Sequence, residues 1–195
     1  MYAVKKFYED IYLAFFAKDN KIYAYVCNDT NQDLHYELKV KYLKFDGTEY
    51  KNEDSVKGSI ISDGNKEIYC EDISTKDATD YFIYGELTVN NIEGETFVRD
   101  GTVFPGLYKH CDLEDAKISC ELKEKDDNFE IKVKSDYPAF FVSFDTEGIK
   151  GKFSENMFTL LPDKSKTIVY TPDEKIDIDD FKNALSVYDL RHTYK

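Results

Sequence analysis

Nine consecutive residues set the first limit on this fold. Leu34-His35-Tyr36-Glu37-Leu38-Lys39-Val40-Lys41-Tyr42 carries an apolar side chain at every even position and a polar one at every odd position. Along a strand, side chains alternate between two faces, whereas a helical period of 3.6 would scatter this pattern around the axis. The segment reads as a strand with one wet and one buried face, the signature of an antiparallel sheet. The same period recurs at 118–122 and 129–133, with Lys125-Asp126-Asp127-Asn128 between them as a hairpin turn.

The rest of the chain follows suit. Strands are expected at 11–17, 68–70, 81–89, 97–104, 139–144, 167–170 and 186–190. Residues 22–27 are apolar on both faces and read as an interior strand. Asn28-Asp29-Thr30-Asn31, Phe45-Asp46-Gly47-Thr48 and the group Asn90, Asn91 and Gly94 supply turn chemistry. One short helical stretch is expected at 178–185, where Ile178, Phe181 and Leu185 share a face and Asp177 caps the start. Prolines stand at 105, 138, 162 and 172, and Pro105-Gly106 is a strong breaker. The expected domains are therefore 1–106 and 107–195, each with strands enough for one sandwich. The fold class is all-β: two tandem antiparallel immunoglobulin-like β-sandwiches.

Charge and motifs exclude several functions. A net charge of −13 opposes contact with a phosphate backbone, so no nucleic-acid partner is expected. No apolar run approaches the ~20 residues of a membrane span, and the first residues lack the apolar core of a signal peptide. The four cysteines and three histidines lack zinc-ligand spacing. Cys27 and Cys70 fit either an inter-sheet disulfide or free thiols; free thiols are favoured, because the chain has no Trp to pack on such a bridge. Free thiols suit a cytoplasmic rather than a secreted protein. Residues 173–180 are rich in Asp but lack the Gly and terminal Glu of a calcium loop, so no metal is expected. Asn28-Asp29-Thr30 is a glycosylation sequon that reads better as a turn. Tyr23 with Tyr25, or Tyr81 with Tyr84, are the candidate exposed sugar-stacking pairs. Tyr8, Tyr12, Phe15 and Phe16 are candidates for an apolar docking patch.

Residues 138–162 carry a more specific pattern. An apolar stretch, Pro-Ala-Phe-Phe-Val-Ser-Phe, precedes Gly151, Phe153, Ser154, Glu155, Asn156, Phe158, Leu160, Leu161 and Pro162. This resembles the C-terminal immunoglobulin-like domain of β-mannosidases of glycoside hydrolase family 2, in which a strand leads into Gly-x-Phe-Ser-Asp/Glu-Asn and then Phe-x-Leu-Leu-Pro. Residues 185–190 resemble that domain's last strand, 25–30 the second strand of the domain before it, and 2–7 the segment leaving the catalytic barrel. The motif's own chemistry is structural. Phe140, Val142 and Phe144 are expected to alternate inward, Ser154 and Asn156 to bond the turn's backbone, Phe158 and Leu160 to re-enter the core, and Pro162 to end the strand.

The resemblance implies an excised accessory region whose parent hydrolyses terminal β-D-mannosides with two glutamates on a (β/α)₈ barrel. That barrel, in the same parent chain, would be the partner, with a β-mannoside as the parent's substrate. A barrel needs about 250 residues, which this chain of 195 cannot hold beside two sandwiches. No catalytic, cofactor-binding or metal-ligating residue is therefore assigned. The alternative function is a carbohydrate-binding or adhesive β-sandwich module.

Overall fold

The computed structural model describes residues 9–74, 76–91 and 94–194. The proposed barrel-exit segment, Tyr8 included, lies outside them. The chain divides into two compact units, the first ending at Asp112 and the second beginning at Leu113. Both are built from antiparallel sheets.

The first unit contains β1 (Ile11–Lys18), β2 (Lys21–Asn28), β3 (Leu34–Lys44), β4 (Glu49–Ile60), β5 (Gly64–Asp72), β6 (Tyr81–Asn90) and β7 (Thr96–Val103). One sheet runs β1-β2-β5 and the other β4-β3-β6-β7. The alternation that opened the sequence reading is β3, whose Leu34, Tyr36, Leu38, Val40 and Tyr42 all enter the core. β2 is interior to its sheet, with Ile22, Ala24 and Val26 fully buried. Its other face is half-exposed and carries Tyr23, Tyr25 and Cys27. β4 has no counterpart among the expected strands. It is an edge strand with one neighbour, β3, and most of its residues keep some contact with water. Such a strand needs little apolar alternation, so its sequence does not advertise it.

The apolar group proposed from Tyr12, Phe15 and Phe16 does not share a face. Phe15 turns toward the facing sheet, where its ring lies over Gly85 and Gly101, partners across β6 and β7. A Cβ at Gly85 would stand 3.0 Å from that ring, and one at Gly101 2.9 Å from the Phe15 Cβ. The two glycines leave the space that the ring fills. Tyr12 and Phe16 sit at alternate positions on the opposite face of β1.

The second unit contains β8 (Ile118–Lys125), β9 (Asn128–Ser135), β10 (Ala139–Thr146), β11 (Gly151–Phe153), β12 (Phe158–Leu160), β13 (Lys166–Pro172), α1 (Ile178–Ala184) and β14 (Leu185–Tyr188). Its sheets run β11-β13-β9-β8 and β12-β10-β14. The β8–β9 hairpin closes on the pair Lys125 and Asn128, with Asp126 and Asp127 at φ 50° and 61°. Two central residues at positive φ give the turn whose twist matches its strands. In α1, the Asp177 side chain accepts from the Asp179 N–H at 2.8 Å, and Phe181 is fully buried. Its ring stacks on Phe129 at 4.4 Å and Tyr170 at 4.8 Å.

One expectation in this unit is extended and one corrected. Phe140, Val142 and Phe144 are buried as expected, and Ala139 is buried as well, joining Val142 and Phe144 in the main core cluster. An extra residue between the pairs Ala139–Leu160 and Val142–Phe158 forms a bulge, and Phe141 adopts φ 52° within it. The bulge breaks strict alternation, so the adjacent Ala139 and Phe140 are both buried while Phe141 is exposed. The last strand stops at Tyr188 rather than running to 190. The Asp189 carboxylate accepts from the His192 N–H at 3.0 Å and from the ring Nδ1 at 2.6 Å, and the chain curls into a short 3₁₀ turn at Arg191–Thr193.

Candidate functional site

The motif at 151–162 is a corner where the chain passes from one sheet to the other. β11 pairs with β13, and β12 with β10 of the opposite sheet. Gly151 lies under the Tyr170 ring, where a Cβ would come within 2.5 Å. Phe153 packs between Phe144 at 5.6 Å and Tyr170 at 4.7 Å. Ser154 extends the ladder to β13: its N–H donates to the Val169 carbonyl at 2.7 Å, and its Oγ accepts from the Val169 N–H at 3.0 Å. Two residues later, Asn156 is buried and grips β10. Its Oδ1 accepts from the Phe144 N–H at 2.6 Å, and its Nδ2 donates to the Phe144 carbonyl at 3.0 Å. Ser154 and Asn156 thus bond neighbouring strands, not the turn's own backbone as the sequence suggested. One amide side chain takes the place of a strand residue, satisfying both backbone groups of Phe144.

The flanking residues complete the corner. Glu155 holds Lys166 at 2.8 Å, and the Lys166 ammonium lies 4.7 Å from the Phe158 ring centroid. Phe158, Leu160 and Leu161 are buried. Pro162 follows Leu161 in a turn closed by the Lys164 N–H on the Leu161 carbonyl at 3.0 Å, at the position where a fixed φ helps most. The family residues of the motif are thus engaged in packing, in ladder bonds or at the turn that ends them, while Met157 is exposed.

A network of ionisable side chains lies in the first unit, and the sequence reading missed it. Tyr42 from β3, Lys51 and Asp54 from β4, and Tyr69 and Glu71 from β5 converge between the two sheets. Glu71 accepts from Lys51 at 2.6 Å and from the Tyr42 hydroxyl, and lies within hydrogen-bond reach of the Tyr69 hydroxyl. The Tyr69 oxygen also lies 2.7 Å from the Asp54 carboxylate, the two carboxylates competing for its single proton, and Lys51 stands 3.7 Å above the Tyr42 ring. Burial alone would raise the pKa of Glu71, but the hydrogen bonds from Lys51, Tyr42 and Tyr69 outweigh it and hold it at about 2. Burial, reinforced by the bonds to Glu71, pushes both tyrosines well above the ordinary phenol range. The arrangement is a polar clamp between sheets. Two of its members lie on β4, the strand with no clear periodic signal, so the sequence could not assemble it.

The sugar-stacking candidates divide. Tyr81 and Tyr84 are 2% and 3% exposed and cannot present a ring to a ligand. Tyr23 and Tyr25 remain on the outer face of the β1-β2-β5 sheet with Phe16, whose ring is near-parallel to theirs at 5.5 Å and 6.1 Å. Tyr25 also donates to Glu67. The sequon is a turn: Asn28 is fully buried, its Nδ2 donates to the Gln32 and Ile61 carbonyls, and its Oδ1 accepts from Thr30. No oligosaccharide can be attached to an amide held this way. All four cysteines are free. Cys27 and Cys70 lie on adjacent strands of one sheet, with Tyr23, not Cys27, opposite Cys70, so an inter-sheet bridge between them is excluded. Among the described residues no cluster of three metal-ligating side chains occurs, and no helix is long and apolar enough to cross a membrane.

Residues 20–110 match the family described as the mannosidase Ig/CBM-like domain, and residues 113–193 match the mannosidase Ig-fold domain. The chain is a tandem of mannosidase-type immunoglobulin-like domains. This mannosidase-type pair is similar to the β-D-mannosidase of Dictyoglomus thermophilum, with a TM-score of 0.79 and 18% identity over 97% of the pair and 22% of that chain. It is also similar to the exo-chitosanase of Amycolatopsis orientalis, with a TM-score of 0.59 and 16% identity over 96% of the pair and 26% of that chain. At these identities the likeness is one of fold, and the pair spans about a quarter or less of either enzyme. Comparison with curated proteins found no match.

Proposed function

We propose that the mannosidase-type pair is the non-catalytic C-terminal accessory region of a β-mannosidase-like glycoside hydrolase. The observation that carries this reading is the alignment of both units together, over 97% of the chain, with one stretch of a β-D-mannosidase. A shared fold in one sandwich would be weak support, since sandwiches host many functions; two in tandem, each matching a mannosidase-associated family, support much more. In this reading the parent's barrel hydrolyses terminal β-D-mannosides, and the sandwiches pack against that barrel and stabilise it. The corner motif serves architecture, and its residues 151–162 take no part in chemistry. The free cysteines support a cytoplasmic setting for the parent.

The test is hydrolysis of a chromogenic β-mannoside by this chain and by the same chain extended upstream through its reading frame. Turnover by the extended protein alone is the expected result. Turnover by the 195-residue chain itself would overturn the reading.

A second reading, a carbohydrate-binding face, is favoured by the cluster Phe16, Tyr23 and Tyr25 beside Glu67 on one outward sheet face. Aromatic rings bind the apolar faces of pyranoses, and carboxylates take their hydroxyls. Retardation of the chain on a β-mannan affinity gel, abolished by Tyr23→Ala with Tyr25→Ala, would favour it over the first; unretarded migration would remove it.

A further inference from the structure

In the second unit β8 is an edge strand of one sheet and β14 an edge strand of the other. A groove of about 410 Å³ lies between them, lined by apolar side chains of β8 and β14 and by Ile178, Asp179 and Lys182 of α1. Ile118, Cys120 and Leu122 are half-buried on the core side of β8. Ser119, Glu121, Lys123 and Lys125 fill the other side. Among the described residues β8 pairs with β9 alone, so its outer backbone edge offers a template for another strand.

We propose that β8 pairs antiparallel with β8 of a second copy of this chain, forming a two-fold dimer through a continuous sheet. The register follows from geometry and charge. For both core faces to lie on the same side of the joined sheet, each residue must oppose one of the same facing, so the two-fold axis passes through a residue. An axis at Glu121 sets that carboxylate against its own copy. An axis at Lys123 sets two ammonium groups together. An axis at Cys120 shortens the pairing and brings Lys117 against Lys123 just beyond it. An axis at Leu122 sets Glu121 opposite Lys123 and Lys123 opposite Glu121, with Ser119 opposite Lys125. The two Leu122 side chains then meet on the core side and cover the rim of the groove. Like charges directly opposite destabilise a strand pair and unlike charges stabilise it. The charge pattern on β8 therefore blocks indiscriminate edge pairing and leaves one long register whose outward-facing charges are complementary.

Sedimentation equilibrium of the 195-residue chain, from about 1 μM to about 1 mM, tests the dimer. The expected result is a monomer–dimer equilibrium that weakens with added salt. Glu121→Lys and Lys123→Glu should each weaken dimerisation about tenfold, because two attractive cross-strand pairs become repulsive in each. An equimolar mixture of the two variants should associate more tightly than either alone, since their edges are oppositely charged. Both side chains are exposed, so an unchanged circular dichroism spectrum verifies folding. A monomer at every concentration, a dimer unaffected by both variants, or a mixture no tighter than its components would overturn the proposal.

Discussion

Asn156 offers the sharpest test of how the corner is held. Its amide bonds both the N–H and the carbonyl of Phe144, at 2.6 Å and 3.0 Å, in a site that is 7% exposed. Asn156→Ala removes both partners and leaves a donor and an acceptor buried. Each such group costs about 1–3 kcal/mol, so the pair costs about 2–6 kcal/mol. Partial hydration of the space left by the amide brings the expected loss to about 3 kcal/mol. For a unit of this size 1 kcal/mol shifts Tm by about 4–8 °C, so the transition of the second unit should fall by about 12–24 °C. Calorimetry of the variant and the parent chain measures this directly. Asn156→Asp separates the bonding argument from simple loss of volume. A carboxylate keeps the acceptor for the Phe144 N–H but faces the Phe144 carbonyl with negative charge, so its folded pKa is raised above the unfolded value. The penalty is absent below the unfolded pKa, near 3.9, and grows as pH rises toward the folded pKa. The Asp variant should therefore recover stability relative to the parent on acidification, when its protonated oxygen donates to that carbonyl. A Tm loss below about 3 °C for Asn156→Ala, or an Asp deficit independent of pH, would refute the account.

Three further predictions concern other sites. Glu71, held at about 2 by Lys51, Tyr42 and Tyr69 against the opposing effect of burial, stabilises the fold fully above its unfolded pKa. That contribution disappears as pH falls from about 4.5 toward 2, and Glu71→Gln should flatten the acid limb of a urea-unfolding series while lowering stability at pH 7. Gly151→Ala places a Cβ 2.5 Å from the Tyr170 ring and hydroxyl and 2.6 Å from the Thr171 carbonyl oxygen, and should cost about 1–3 kcal/mol as overpacking; a urea midpoint equal to the parent's would show that both Tyr170 and the β13 backbone give way freely. Burial, aided by Asp80, pushes the Cys111 thiol up to about 11, whereas Cys70 is exposed. At pH 8 a thiol reagent should label Cys70 first and Cys111 only after denaturation, as read by peptide mass mapping.

Period-two alternation made most of the scaffold legible. β3, β8 and β9 each bury one face, and that one-sided burial writes itself into the residue pattern. Asp126-Asp127 and the Asp177 cap were equally readable, because turns and caps are satisfied by residues a few positions away. The family pattern at 151–162 was visible as a string of residues before any of its contacts was known. β4 and the bulge in β10 were not legible. β4 is held by backbone bonds to β3, which carry no residue signature, and a single bulged residue in β10 breaks the alternation and buries Ala139 beside Phe140.

The sequence by itself determined the all-β class, the division into two sandwiches and the mannosidase-type motif, because each rests on local periodicity, turn chemistry or residue identity. Tertiary structure alone decided what the polar residues with distant partners do. Asn156 grips Phe144 from 12 positions away, and Glu71 gathers Lys51 and Tyr42 from 20 and 29 positions away. It also decided that Asn28 is buried rather than glycosylated and that Cys27 and Cys70 share a sheet instead of bridging two. Such partners are chosen by sheet order and register, which depend on the packing of the whole unit and on no single segment of the chain.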